Sequence, residues 1–478
     1  MSRAAAVASV VLAVALVALA LWAPPVVEGD GAEYVLMCES LYRHGSPSLR
    51  PEDLEALRAE ASPDGWWRDR EPATLGAYFP ASDGRRYAWH FWGYSLLAVP
   101  ARALVAAMDA DVRRALPITN AVCLGAMAAV VLLVPRWDAV RRALMVALLL
   151  GSPVLPFLRW THPEPFAFAA AVCALALHER APRASLVCAA VASWQAPPLF
   201  LLVILLWART VAPAVRSGDI RSAALTTAAA LPMALPPAFY LALFGTPNLA
   251  ARQSFMRVSD LSVRRALDLA LDLDVGLLPH TPGVMALAAL ALALGLARGR
   301  WRDLEAQLLA TAAAVALAAT LNPNWNNATS GPSRYAVWAL PLVLWAVASP
   351  AARGYRPATV SVACALQVAI LAARGGPLAR TDYLEHSYAA RVVLDRWPAL
   401  YSPTHEIFVE RTTGREQDFP PPPFIYRDDG RCRKALLRIR FAEALESECG
   451  PIPSGQRGRF FPRPADTEAR NAWAYVSW

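Results

Sequence analysis

Long apolar runs separated by short arginine-bearing loops set the pattern of this chain. The first run, Ala4 to Val27, is 24 residues without a charge. As a helix it is long enough to cross a hydrocarbon core about 30 Å thick. Further apolar runs predict spans at about 115–135, 142–158, 165–178, 184–194, 197–208, 222–244, 281–297, 303–321, 335–349 and 357–374. A cleaved signal peptide is the alternative for the first run. Its length exceeds the usual apolar region of such a peptide, which favours a retained span.

Loop arginines set the orientation, because cytoplasmic loops collect positive charge. Five loops qualify: Arg136, Arg141 and Arg142; Arg180 and Arg183; Arg209, Arg216 and Arg221; Arg298, Arg300 and Arg302; Arg353 and Arg356. Placing all five inside forces two choices. The stretch 184–208 must be a hairpin broken at Gln195-Ala196-Pro197-Pro198, where proline removes backbone donors and stops a helix. Phe91 to Met108 must lie along the outer surface as an amphipathic segment, with Arg102 turned to water. The expected fold is thus an all-α polytopic membrane protein with eleven spans, its N-terminus inside and its C-terminus outside. The alternative counts 91–108 as a span and 184–208 as one. It sets the Arg136–Arg142 loop outside, against the charge rule.

Composition sharpens this picture. The chain has 478 residues, is 56% hydrophobic and has a mean hydropathy of +0.32, values of a membrane protein rather than of stacked soluble domains. The net charge of +8 would suggest nucleic acid in a soluble protein. Here the positive-inside rule accounts for it, and no nucleic-acid partner follows. Lys434 is the only lysine, so arginine supplies nearly all of the positive charge. Residues 1–374 read as the membrane domain, with a first outer loop over 28–110 that includes the surface segment. Residues 375–478 read as a small, loop-rich outer domain containing the polyproline piece Phe419 to Phe424. Cys432 and Cys449 lie in this tail and could pair if it is outside the cytoplasm. Cys123, Cys173, Cys188 and Cys364 sit in apolar runs and read as packing residues.

Chemistry concentrates at the outer ends of spans. Gly29-Asp30-Gly31-Ala32-Glu33-Tyr34 follows the first run directly. If the chain there is helical, Asp30 and Glu33 share one turn and face one way. One carboxylate could take a proton from a hydroxyl while its neighbour tunes it or holds a metal. The bland reading is the solvated end of a span. Arg159-Trp160-Thr161-His162-Pro163-Glu164 is a very short turn that places Arg159, His162 and Glu164 together at the interface, where an Arg can hold a phosphate. Its bland reading is a proline turn with a Trp anchor. Arg334, in Gly331-Pro332-Ser333-Arg334-Tyr335, enters a span from the outer side, the wrong side for a topology signal. It either binds a lipid phosphate or snorkels to headgroups. His90 stands between Trp89 and Phe91-Trp92, after Trp66 and Trp67. Such aromatics stack on sugars or simply favour the interface. Asn327-Ala328-Thr329 fits the glycan-acceptor pattern but carries no weight, since such triplets recur by chance.

The order of these motifs over residues 1–375 resembles the GT-C superfamily of membrane glycosyltransferases. Within it, the likeness is to bacterial relatives of the dolichyl-phosphate-mannose protein mannosyltransferases and of the lipid A aminoarabinose transferases. The resemblance implies inverting transfer of a sugar from a polyprenyl-phosphate donor to a glycan, lipid or protein acceptor, at the plasma membrane of a bacterial cell envelope. It implies Asp30 as the base and Glu164 as the second-loop acid, with Glu33, His90, Arg159, His162, Arg334 and Tyr335 as substrate contacts. Trp92 replaces a proline after the basic position at His90, and Ser333 is an extra residue before Arg334. Two carboxylates alone require no metal, although a divalent ion is possible. The competing classes are a transporter or flippase for a lipid-linked glycan, and a non-catalytic relative. Transporters usually carry internal repeats and charges within spans, and neither pattern stands out here.

Overall fold

The computed structural model describes residues 3–60, 77–299, 303–326, 331–348, 357–379, 383–416, 419–458, 460 and 471–478. Trp66, Trp67, Arg300, Arg302, Asn327-Ala328-Thr329, Arg353 and Arg356 lie outside them. The chain is mostly helical and divides into two compact units. Unit one holds Met1–Ser262, Thr281–Pro323 and Val337–Ala379; unit two holds Val263–His280, Asn324–Ala336 and Arg380–Trp478.

Among the described residues of unit one, four helices are long and apolar enough to cross a membrane: Arg3–Trp22, Val112–Leu133, Pro197–Arg216 and Ile220–Phe244. Shorter apolar helices include Glu164–Leu177, Pro182–Ala192, Pro282–Ala297 and Leu304–Ala319. The first helix, α1 (Arg3–Trp22), leaves Val7, Val10, Val11 and Val14 exposed and packs on the helix Ala115–Leu133. Gly125 permits that approach: a Cβ there would come within 2.9 Å of Ala13 Cβ. Arg114 closes the end of α1, donating from Nη1 to the carbonyls of Leu21 and Ala23. A cation suits the carbonyl end of a helix.

Helix α2 (Gly31–His44) then pairs with the helix Gly93–Ala107. The latter was expected on the outer surface with Arg102 turned to water. Arg102 is instead buried, donating to Glu39 of α2 from Nε at 2.7 Å, while Leu96, Leu97 and Leu104 are exposed. The helix turns its one charge inward because a buried partner waits there. Two other expectations meet the structure differently. The break at 195–198 is present, between Pro182–Ala192 and Phe200–Arg216. The run 142–158 is not one helix: Ala139–Leu150 stops at Gly151, and Pro153 and Pro156 leave only a 3-10 turn over Leu155–Arg159.

Unit two is more ordered than a loop-rich tail. Three antiparallel strands, Phe424–Asp428, Arg431–Arg438 and Trp473–Ser477, form a sheet with the middle strand central. Asp429 and Gly430, both at positive φ, make the tight turn between the first two. Alternation along the central strand buries both faces. Ala435 and Leu437 pack with Leu445 and Phe460, whereas Leu436 packs with Leu394 and Phe408. Cys432 and Cys449 are disulfide-bonded.

The tail also gathers two loop pieces that sequence reading had assigned to the membrane domain. Asp274 accepts from the Ser387 backbone N–H at 2.7 Å and lies 2.8 Å from His386 Nδ1. Asn326 Oδ1 accepts from Arg411, and its Nδ2 donates to Glu410. These buried contacts bind 263–280 and 324–326 to the tail, so its unit begins well before residue 375.

Candidate functional site

Pro24 and Pro25 follow α1, and α2 restarts with Asp30 as its cap residue and Glu33 in its first turn. Carboxylates suit a helix N-terminus, where N–H groups lack internal partners. The two acids therefore do share one helical turn. Glu33 is buried, and its carboxylate accepts from Trp89 Nε1 at 3.1 Å and meets His90 Nδ1 at 2.9 Å. The other nitrogen, His90 Nε2, stands 4.0 Å from Asp30 Oδ2. A short antiparallel hairpin, Tyr78–Pro80 with Arg86–Ala88, delivers Trp89 and His90 to this place. Its Tyr78 hydroxyl donates to the Glu33 carbonyl at 3.0 Å. Burial pushes the Glu33 carboxyl up to about 7, against the opposing pull of His90.

The second acidic motif meets the first directly. Val26 N donates to Arg159 O at 2.9 Å, and Thr161 N donates back to Val26 O at 3.0 Å. This backbone bridge sets the 159–164 turn against the entry to α2. His162 is buried, with its ring 6.1 Å from that of Tyr34, and the Tyr34 ring is 5.2 Å from that of His90. Gly31 is required at the junction: a Cβ would press on Thr161 Oγ1 and come within 2.8 Å of His162 Cε1. Glu164 is buried in the first turn of Glu164–Leu177. Arg159 donates from Nη2 to Ala379 O at 2.8 Å.

Arg334 and Tyr335 belong to unit two. Arg334 begins the helix Arg334–Ala348, and the Tyr335 ring lies 5.7 Å from Trp325. The contacts around Asp30 therefore join unit-one residues, namely Glu33, His90, Trp89, Tyr34 and His162, with Glu164 two residues after His162 in the same turn.

Asn120 was missed in the sequence. It is fully buried in the helix Ala115–Leu133 and donates to Trp160 O at 2.9 Å and His162 O at 3.1 Å, clamping the second turn. The Tyr94 hydroxyl sits beside it, 2.9 Å from Asn120 Oδ1. A lone amide inside an apolar run was the available signal, since such a group needs a reason to be there. One ligand atom each from Asp30, Glu33 and His90 lie within 4.8 Å of one another, so these three side chains could hold a divalent cation.

No family model, no curated protein and no solved structure matches this chain. What the fold defines is a mostly helical chain with helices suited to a membrane. What the site adds is a buried acid paired with a half-buried imidazole beside a second acid, built where two motifs that follow apolar runs meet.

Proposed function

We propose that this chain is a membrane glycosyltransferase that moves a sugar from a polyprenyl-phosphate donor to an acceptor hydroxyl. The observation that carries the reading is the backbone bridge between Val26 and residues 159–161, with Asp30 and His162 gathered around Gly31. Motifs some 130 residues apart, each following an apolar run, meet at one place (161 − 30 = 131). In the proposed step Asp30 takes the acceptor proton as the acceptor oxygen bonds to the anomeric carbon. The bond from that carbon to the phosphate oxygen breaks, and polyprenyl phosphate leaves with the electron pair. Inversion follows from a single displacement. Glu33 fixes His90, and the pair holds the sugar beside Asp30. Arg159 is the cation nearest in sequence to the second motif and faces the leaving phosphate. Eleven spans, an inside N-terminus and an outside tail complete the reading, with the donor lipid in the bilayer.

The test compares a strain lacking the protein with strains carrying the native chain, Asp30→Asn or Glu164→Gln. Glycolipids, cell-surface glycans and polyprenyl-phosphate sugars are measured in each. Loss of the protein should build up donor and remove one sugar from an acceptor. Asp30→Asn should insert normally and lower transfer at least about 100-fold, the scale of a lost general base. Native transfer by both variants would overturn the assignment of the site. Accumulation of a complete, untransferred lipid-linked glycan on one side of the membrane would favour a flippase.

A further inference from the structure

The helix Val263–Leu271 of unit two is amphipathic in an unusual sense. Leu269 alone is buried, while Val263, Leu267 and Leu271, spaced by four, form an exposed apolar stripe. A second exposed pair lies on the turn that follows the helix Tyr388–Arg396, namely Trp397 and Leu400. Arg264 Nη2, one residue after Val263, donates at 3.3 Å to the carbonyl of Ser402, two residues after Leu400, which brings the start of the stripe to the segment that carries the pair. All five apolar side chains are between 52% and 80% exposed. Five large apolar groups at that exposure exceed the scattered surface leucines of a soluble domain and mark an interaction face.

Charge and composition select the occupant. Arg264 and Arg396 are exposed beside this apolar set, and Trp397 adds an amphipathic ring. Arginine next to tryptophan and leucine is the composition of a segment lying at the level of anionic headgroups, aliphatic groups down and guanidinium groups out. A second copy meeting this face across a two-fold axis would bring the arginines toward their own symmetry mates. In sequence, the chain enters the apolar helix Pro282–Ala297 eleven residues after Leu271 (282 − 271 = 11).

We infer that the face made by Val263, Leu267, Leu271, Trp397 and Leu400 docks unit two onto the surface of the bilayer, with Arg264 and Arg396 on anionic lipid headgroups. This docking does not depend on sugar transfer, and its test does not measure transfer. The full-length protein, with its five free cysteines replaced and the disulfide kept, is reconstituted in nanodiscs of phosphatidylcholine and phosphatidylglycerol. Leu267→Cys, Leu400→Cys and the exposed reference Ser454→Cys each carry an environment-sensitive fluorophore. The first two labels should emit further to the blue. Nitroxide on shallow acyl positions should quench them several-fold more than the label at 454, and iodide several-fold less. Replacing phosphatidylglycerol by neutral lipid should weaken the difference. Equal iodide access at all three positions would overturn the inference. So would blue-shifted emission without lipid quenching, which would mean that protein covers the face.

Discussion

The acid at position 410 shows how one buried side chain makes stability depend on pH. Glu410 is buried, and loss of hydration pushes its carboxyl up to about 8. The Asn326 amide at 2.8 Å and Arg411 pull the other way, while Glu406 and Glu416 add to the rise. Between its ordinary value near 4.5 and about 8, the folded chain holds a proton that the unfolded chain has released. Folding then binds more protons than unfolding, so this group's contribution falls as pH rises through that window. Glu410→Gln cannot titrate and keeps an oxygen for Asn326. The thermal midpoint of the variant minus that of the native chain should therefore grow steadily from pH 5 to pH 8. Comparing the two chains cancels the titrations that do not couple to Glu410, while the coupling to Glu406 and Glu416 stays in the difference. A difference independent of pH would show that Glu410 is ionised throughout.

At the scale of elements, the packing of α2 on the helix Gly93–Ala107 turns on one charged contact. Arg102 is buried against Glu39, which also accepts from Arg43, and its guanidinium lies 4.8 Å from the centre of the Tyr42 ring. Removing one side of a buried pair strands the other charge, so Arg102→Met should cost about 3–5 kcal/mol. The double variant Arg102→Met with Glu39→Gln should recover part of that loss, measured by chemical denaturation in detergent. An Arg102→Met chain as stable as the native one would show that Arg43 alone satisfies Glu39. The same helix marks where sequence reading stops. Its apolar positions were legible as a helix, but Arg102 looked like a solvent-facing residue because Glu39 is 63 residues away in the chain. The break at Pro197-Pro198 was legible because proline acts locally. The Asp30–Glu33 turn was legible for the same reason, since three-residue spacing on a helix needs no distant partner. The link between residue 26 and the 159–161 turn was not, because it rests on backbone bonds that carry no side-chain signature. The sheet in unit two was missed although Asp429-Gly430 is a hairpin signal. Proline-rich and charged surroundings masked the alternation along Arg431–Arg438.

The distribution of cysteines makes the orientation of the whole molecule measurable. Five thiols, Cys38, Cys123, Cys173, Cys188 and Cys364, are buried or half-buried in unit one, and unit two holds the Cys432–Cys449 bridge. A disulfide persists in an oxidising compartment, so the proposed topology expects this bridge to stay oxidised outside the cytoplasm. The proposed placement of the tail outside rests on the loop arginines, through the energetics of insertion rather than redox chemistry. In intact cells a membrane-impermeant maleimide should leave the tail unmodified. After mild reduction it should add to the peptides carrying Cys432 and Cys449, both located by mass spectrometry. Permeabilising the cells should not increase that signal. Labelling that appears only after permeabilisation would place the tail in the cytoplasm. That result would overturn the proposed topology, in which the tail and the Asp30 loop face outward.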